Sequence, residues 1–380
     1  MHRAEITVKR LAPLWLSFLA LCGNVAGVPI GGVYALGNPG QPIPPSVLQN
    51  RDVDGLALRY GWAALEPREG VYNWSKLDSD IGEAKAHGKT VSLSVLPGVA
   101  TPSWVYEVGA AQFRFLWNQS WGKKPCVMTS IPVPWDPIYL SKWQAFVRAM
   151  GRRYDRDPTL TIIKITGVNS EAAEFILPRF GGPRGFTGWE RIGCQGSDDV
   201  ANWQHVGYTR TKIERAWESI AEVFARSFAS KKLDFMVVPR GLPPIDNFGN
   251  LIPGANGDAI AVHDLMAWGS ERYGNRFILQ NNGLSAFSDM TELSAQSRHT
   301  MIGHQMLWRV TDDPHCRMNN KVTPCNPREV LEKAINRGIG SGASFLEIYE
   351  KDITNPDLQD SIEKAHLSLA LNGHRHEAVK

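Results

Sequence analysis

The sequence predicts an α/β protein built on parallel strands, and one stretch, residues 53–104, supplies the observations. Its two apolar runs, VDGLALRY and TVSLSVL, are continuous rather than alternating, which marks strands covered on both faces. Between them Leu77, Ile81 and Ala84 recur at helical spacing, so a helix over 77–87 joins the strands as a crossover. Gly88 ends that helix where a residue free to take positive φ is wanted. Arg59, Trp62 and Glu66 follow the first run and Pro97 and Gly98 the second. Chemistry-bearing residues thus gather at the carboxyl ends of the strands, where parallel barrels place their sites.

RYGWAALEPREGVYNWSKLD, the apolar strand after it and then TPSW resemble the second and third strands of clan A glycoside hydrolases. Family 42 β-galactosidases are nearest in wording, and family 5 cellulases share the logic. The resemblance implies a (β/α)8 barrel in a single domain, with a carboxylic acid after strand four and a carboxylate nucleophile near the end of the barrel. It also implies an oligo- or polysaccharide substrate and no cofactor.

The remaining elements follow in order. GGVYALG (31–37) is the first strand, and a Pro/Gly-rich segment joins it to the second. Residues 98–137 read as a long irregular insertion holding Trp104, Phe113, Phe115, Trp117, Trp121 and Trp135. Those aromatics either wall a glycan cleft or pack a small core of their own. A helix over 136–154 starts at Asp136, the N-cap, with Pro137 at the first helical position. Strand four, TIIKITGV (161–168), delivers Asn169, Ser170, Glu171 and Glu174. After a glycine-rich insertion (178–200) come one long helix (203–230), strand five (233–239) and a helix within 257–273. Strands six to eight are RFILQNN, MIGHQMLWRV and ASFLEIYEKDI, with helices over 327–338 and 357–372.

Basic residues His2, Arg3, Lys9 and Arg10, then LAPLWLSFLALCG, then small residues through Ala26 form the order of a secretory signal occupying 1–26, with the barrel over 27–380. The apolar part is shorter than the ~20 residues of a membrane span, and no later segment reads as one. Leu19-Ala20-Leu21-Cys22 resembles a lipobox with a poor residue before the cysteine, so a lipid anchor at Cys22 stays open beside secretion or a periplasmic address. Beyond the signal lie Cys126, Cys194, Cys316 and Cys325. Nearness favours Cys316 with Cys325, leaving Cys126 with Cys194. Cysteine and histidine spacings for zinc are absent. A net charge of +3 in 380 residues, with no long basic run, gives no nucleic-acid stripe. Oligomeric state is not legible.

Glycosidic cleavage needs a proton for the leaving oxygen and electron density at the anomeric carbon, which two carboxyl groups supply. In the clan A pattern the acid directly follows an asparagine. Here the run is Asn169-Ser170-Glu171, one residue longer, so Glu174 rivals Glu171. If the strand runs that far, Glu171 shares the inward parity of Asn169. The resemblance puts the nucleophile on strand seven, which carries no carboxylate, whereas strand eight carries Glu347 and Glu350. Three accounts compete: a miscounted strand, a nucleophile moved by one strand, or lost catalysis leaving a glycan-binding barrel. Glu347 sits among apolar neighbours, a costly place for an unused charge. Glu350 lies nearer the carboxyl end.

Arg59 stands where the family has an arginine that steadies the nucleophile. Trp62, Trp104 and Tyr349 are candidate sugar platforms. Asn169, Gln280, Asn281, Asn282, His304 and Gln305 are neutral partners for hydroxyls. His263 beside Asp264, with the glutamates, gives a lesser metal-dependent alternative.

Overall fold

The computed structural model describes residues 30–117, 127–181 and 198–377. Ten strands are present: β1 Gly32–Leu36, β2 Gly55–Gly61, β3 Thr90–Leu96, β4 Gln112–Trp117, β5 Val127–Pro132, β6 Leu160–Lys164, β7 Lys232–Val237, β8 Phe277–Leu284, β9 Met301–Met306 and β10 Ala343–Tyr349. Eight close into a barrel in the order β1-β10-β9-β8-β7-β6-β3-β2, every pairing parallel. The expected single-domain (β/α)8 barrel is therefore present, with β6 as its fourth strand, β9 its seventh and β10 its eighth.

Alternation divides each strand between two cores. Val33, Leu56, Leu93, Ile163, Phe235, Leu279 and Leu346 join the helices in the large outer core. Tyr34, Ala57, Ile162, Ile278, Met301 and Phe345 pack together inside the barrel. The Tyr34 and Phe345 rings, 5.4 Å apart, plug the lumen. Two glycines make room for them: a Cβ at Gly55 would come within 2.4 Å of the Tyr34 ring, and one at Gly303 within 2.2 Å of Phe345. Two residues further along the strands, and nearer the mouth, the inward positions turn polar.

Four expectations need correction. Residues 98–137 are not irregular, because β4 and β5 form an antiparallel hairpin in register from Gln112↔Pro132 to Trp117↔Val127. Its Phe113 stacks on Trp203 with ring centroids 3.6 Å apart, and Trp135 meets Trp203 and Tyr208. Those rings belong to the large outer core, so the insertion does not pack a core of its own; Trp121 lies outside the described residues. The fourth strand ends at Lys164, not at 168, so strand parity cannot aim Glu171. The helix expected over 203–230 is two helices, Asp199–His205 and Arg210–Ser227, split at Gly207 with φ of 76°. Thr209 restarts the chain by accepting from the Lys212 amide. Finally, β10 ends at Tyr349, and Glu350 begins a short helix, Glu350–Ile353.

Other expectations hold. The first crossover helix runs Ser75–Ala86. Asp136 caps Pro137–Tyr154 by accepting from the Tyr139 amide. Cys316 and Cys325 form a disulfide. The signal segment 1–26, Cys22, Cys126 and Cys194 lie outside the described residues. No helix among the described residues is long and apolar enough to cross a membrane.

Candidate active site

The polar layer above the plug is built from charges embedded in strands. Lys164 Nζ lies 2.5 Å from Glu347 Oε1, with side-chain exposures of 4% and 0%. Gln280 Nε2 donates to the other carboxylate oxygen, Oε2, at 3.0 Å. Asp234, also fully buried, is pushed up to about 8 by burial; Lys164 pulls it down and Glu347 pushes it further up. The shift favours its protonated form, and the ion pair of this layer is Lys164 with Glu347. A buried carboxylate without such a partner is strongly disfavoured.

From this layer a chain of contacts climbs to the mouth. Gln280 Nε2 also donates to Asn282 Oδ1 at 2.7 Å, and Asn282 Nδ2 donates to Glu174 Oε1 at 3.1 Å. Gln280 and Asn282 share the inward face of β8, and Asn281 between them does not. The Asn281 Oδ1 accepts from the Gly283 amide at 2.8 Å, where the strand register slips.

The loop after β6 holds both mouth glutamates. Asn169 closes its turn, accepting from the Gly167 amide at 3.1 Å and donating to the Ala172 carbonyl at 2.7 Å. Beyond the turn, Phe175 donates to the Met236 carbonyl and Leu177 to that of Gly241. Glu171 Oε2 accepts from Trp117 Nε1 of the hairpin at 2.5 Å. Burial raises the Glu171 pKa and the nearby Glu174 charge adds to it, while the Trp117 bond opposes them. A carboxyl group biased toward its protonated form thus stands beside a second carboxyl group.

The loop after β3 supports this turn at one point. Val99 donates to the Ser170 carbonyl at 2.9 Å, and Gly98, at φ of 54°, lies so close that a Cβ would sit 1.9 Å from that oxygen. Gly98→Ala is expected to destabilise the fold by about 1–3 kcal/mol, through strain and clash together. Because the displaced group neighbours Glu171, kcat should fall as well. Urea unfolding with parallel kinetics checks this, and an unchanged midpoint would refute the tight approach.

The other candidates separate clearly. Tyr349 reaches the mouth, where burial raises its pKa, Arg59, Arg317 and Arg309 oppose that shift and Glu174 adds to it. Glu350 packs against Gly37, whose Cβ would lie 2.5 Å from Oε1; burial pushes its carboxyl up and Arg59 pulls it down. Arg59 donates through Nη2 to the Gly37 carbonyl and faces Tyr349 and Glu350. Gln305 pairs in register with Glu347 and is buried.

Trp62 and Trp104 do not wall a cleft. Both are buried, with Nε1 donating to Glu66 Oε2 at 2.8 Å and to the Glu66 carbonyl at 3.0 Å, and Trp62 packs on Tyr139 and Trp143. Glu66, bonded to both indoles and to the Gly70 amide, is loop scaffold. His304 faces the outer helices, its Nε2 2.7 Å from Ser341 Oγ, and burial lowers it to about 4. His263 is exposed, 3.6 Å from Glu292. Sequence reasoning missed Lys164 and Asp234, although each is a charge inside an apolar strand, the signal that singled out Glu347.

Residues 50–173 match the glycoside hydrolase family 42 model, described as β-galactosidase. That span runs from before β2 to just before Glu174 and bears out the resemblance read from the sequence. No curated protein matches the chain. Among solved structures, the catalytic domain of a β-amylase from Paenibacillus polymyxa aligns with a TM-score of 0.58 and 10% identity, over 90% of this chain and 98% of that one. A psychrophilic family 10 endo-β-1,4-xylanase gives 0.45 and 11%, over 84% and 86%. A cold-adapted β-galactosidase from Rahnella sp. R3 gives 0.48 and 11%, over 90% of this chain and 56% of that one. The β-amylase alignment shows the shared barrel fold.

Proposed function

We propose that this barrel, whose residues 50–173 match a glycoside hydrolase family, is a secreted glycosidase that cleaves a β-linked glycan with retention. Glu171 gives the proton and Glu174 attacks. The observation carrying this reading is the unequal pair at the mouth: Glu171 is biased toward its acid form by burial and its neighbour, and Glu174 is held by Asn282. Glu171 and Glu174, three residues apart on one closed turn, influence one another, and retention is proposed as the course that needs two carboxyl groups ~5 Å apart rather than the ~6.5–9.5 Å of inversion.

In the first step Glu171 protonates the leaving oxygen as its bond to the anomeric carbon breaks, and a Glu174 oxygen bonds to that carbon. In the second, the Glu171 carboxylate takes a proton from water, whose oxygen displaces Glu174 from the anomeric carbon. Trp117 donates to Glu171 throughout and aims its carboxyl group. The disulfide Cys316–Cys325 supports an oxidising compartment, in keeping with the signal segment.

A second reading keeps Glu171 as the acid and makes Glu347 the attacker. In its favour, Glu347 is paired with a buried lysine; against it, Lys164 and Gln280 occupy both of its oxygens beneath the mouth. Chemical rescue separates the two. Glu174→Gly with azide and an activated aryl β-glycoside should form the α-glycosyl azide. Formation of that product by Glu347→Gly instead would transfer the nucleophile to β10. Binding without turnover by the unmutated protein would leave only a carbohydrate-binding barrel.

A further inference from the structure

The two amides between the buried ion pair and the mouth have a direction, and Glu347 sets it. In its pair with Lys164, the Glu347 carboxylate offers only acceptors to Gln280. The Gln280 amide therefore presents its nitrogen, whose two hydrogens go to Glu347 Oε2 at 3.0 Å and to Asn282 Oδ1 at 2.7 Å. With that oxygen engaged, Asn282 turns its own nitrogen to the mouth and donates to Glu174 Oε1 at 3.1 Å. Each amide is fixed by the group beneath it.

The reverse order fails at both ends. Turned over together, the two amides would set Gln280 Oε1 against Glu347 Oε2 and Asn282 Oδ1 against Glu174 Oε1, oxygen against oxygen. The observed order also carries a cost, since Gln280 Oε1 is buried with no hydrogen-bond partner. A buried amide gives up such a bond where a stronger constraint decides its orientation, and a hydrogen bond to a charged group is stronger than one between neutral groups. The constraint here is Glu347.

We infer that Glu347 is a positioning residue for Glu174: through Gln280 and Asn282 it keeps an N–H on Glu174 Oε1. That N–H fixes the rotation of the carboxylate. It also stabilises the charge that returns to Glu174 when the anomeric carbon passes from its oxygen to the oxygen of water. The inference rests on the reading of Glu174 as the attacking group, and it gives Glu347 a part in the reaction without contact with the sugar.

Glu347→Gln reverses the order, because Lys164 claims the new amide oxygen and leaves its nitrogen facing Gln280. Asn282→Leu removes the last N–H, so on that background the groups beneath should no longer matter. The substrate is an activated aryl β-glycoside, whose fast first step leaves the second to limit kcat. Glu347→Gln should lower kcat about tenfold or more in the otherwise unmutated protein, with KM moving less than about threefold, but lower it less than about twofold in Asn282→Leu. Gln280→Met, which leaves the Lys164–Glu347 contact in place, goes through the same cycle and covers a Glu347→Gln that does not fold. Equal losses in the two backgrounds overturn the inference, and α-glycosyl azide formed by Glu347→Gly overturns it together with the Glu174 reading. If the unmutated protein cleaves no glycan, the relay is read from the Asn282 side-chain amide in proton–nitrogen NMR spectra, identified by its loss in Asn282→Leu. Displacement of that signal in Glu347→Gln, or in Gln280→Met if the first does not fold, keeps the relay and removes the hydrolase; an unmoved signal overturns the relay.

Discussion

Replacing Glu171 with glutamine is expected to lower kcat on an unactivated glycan by about 10²–10⁴-fold, the usual contribution of a positioned general acid. The loss should be much smaller in the bond-breaking step for an aryl glycoside whose leaving group departs without a proton. The pH profile gives the sharper signature. Burial and the Glu174 charge raise the Glu171 pKa, so its acid form survives above the ordinary glutamate range. Activity should stay on a plateau through mildly acidic pH and fall as pH rises through the raised value. Glu171→Gln should erase that alkaline limb, since an amide does not titrate. A limb that persists unchanged would assign the proton to another group.

Lys164→Met is expected to produce the largest loss of stability, about 3–5 kcal/mol, because it strands the Glu347 charge inside the barrel. For a domain whose whole stability is about 5–15 kcal/mol, that is a large fraction. The neighbouring Asp234 is no substitute partner: it is itself pushed up to about 8, and loss of Lys164 removes the influence that lowers it. Lys164→Met combined with Glu347→Met should recover much of the deficit, since no lone charge then remains. Urea unfolding of both single variants and the double variant measures the coupling. A single-variant loss below about 1 kcal/mol would mean that the pair is not the closed, dry contact described here.

The barrel was legible because its signals are local. Continuous apolar runs such as TVSLSVL, separated by helical repeats such as Leu77, Ile81 and Ala84, specify buried strands and crossovers without reference to distant residues. The eight strands also show that the missing carboxylate on strand seven is not a counting error: β9 is the seventh strand and β10, with Glu347, the eighth.

The site was less legible because its geometry is long-range. Strand four stops at Lys164, since Gly167, at φ of 136°, turns the chain where Trp143 and Ile220 leave no room for a side chain. Gly167 itself is visible in the sequence, but the crowding by Trp143 and Ile220 that requires a glycine there is not. Trp62 and Trp104 looked like sugar platforms from their place after strands, but Glu66 draws both indoles into the core. The partner of Glu347 was findable in kind, since Lys164 breaks an apolar run as Glu347 does, yet 183 residues separate the two. Only closure of the barrel brings them together.

Two glutamates on one turn at the barrel mouth are proposed to cleave a glycosidic bond with retention. Proton NMR of the anomeric signals, recorded in the first minutes of digestion of a β-linked tetrasaccharide by the unmutated protein, tests it most directly. The β-anomer of the new reducing end is expected to appear first and then to mutarotate. Initial release of the α-anomer would contradict it, and so would an undigested panel of β-linked chains, acidic and neutral alike.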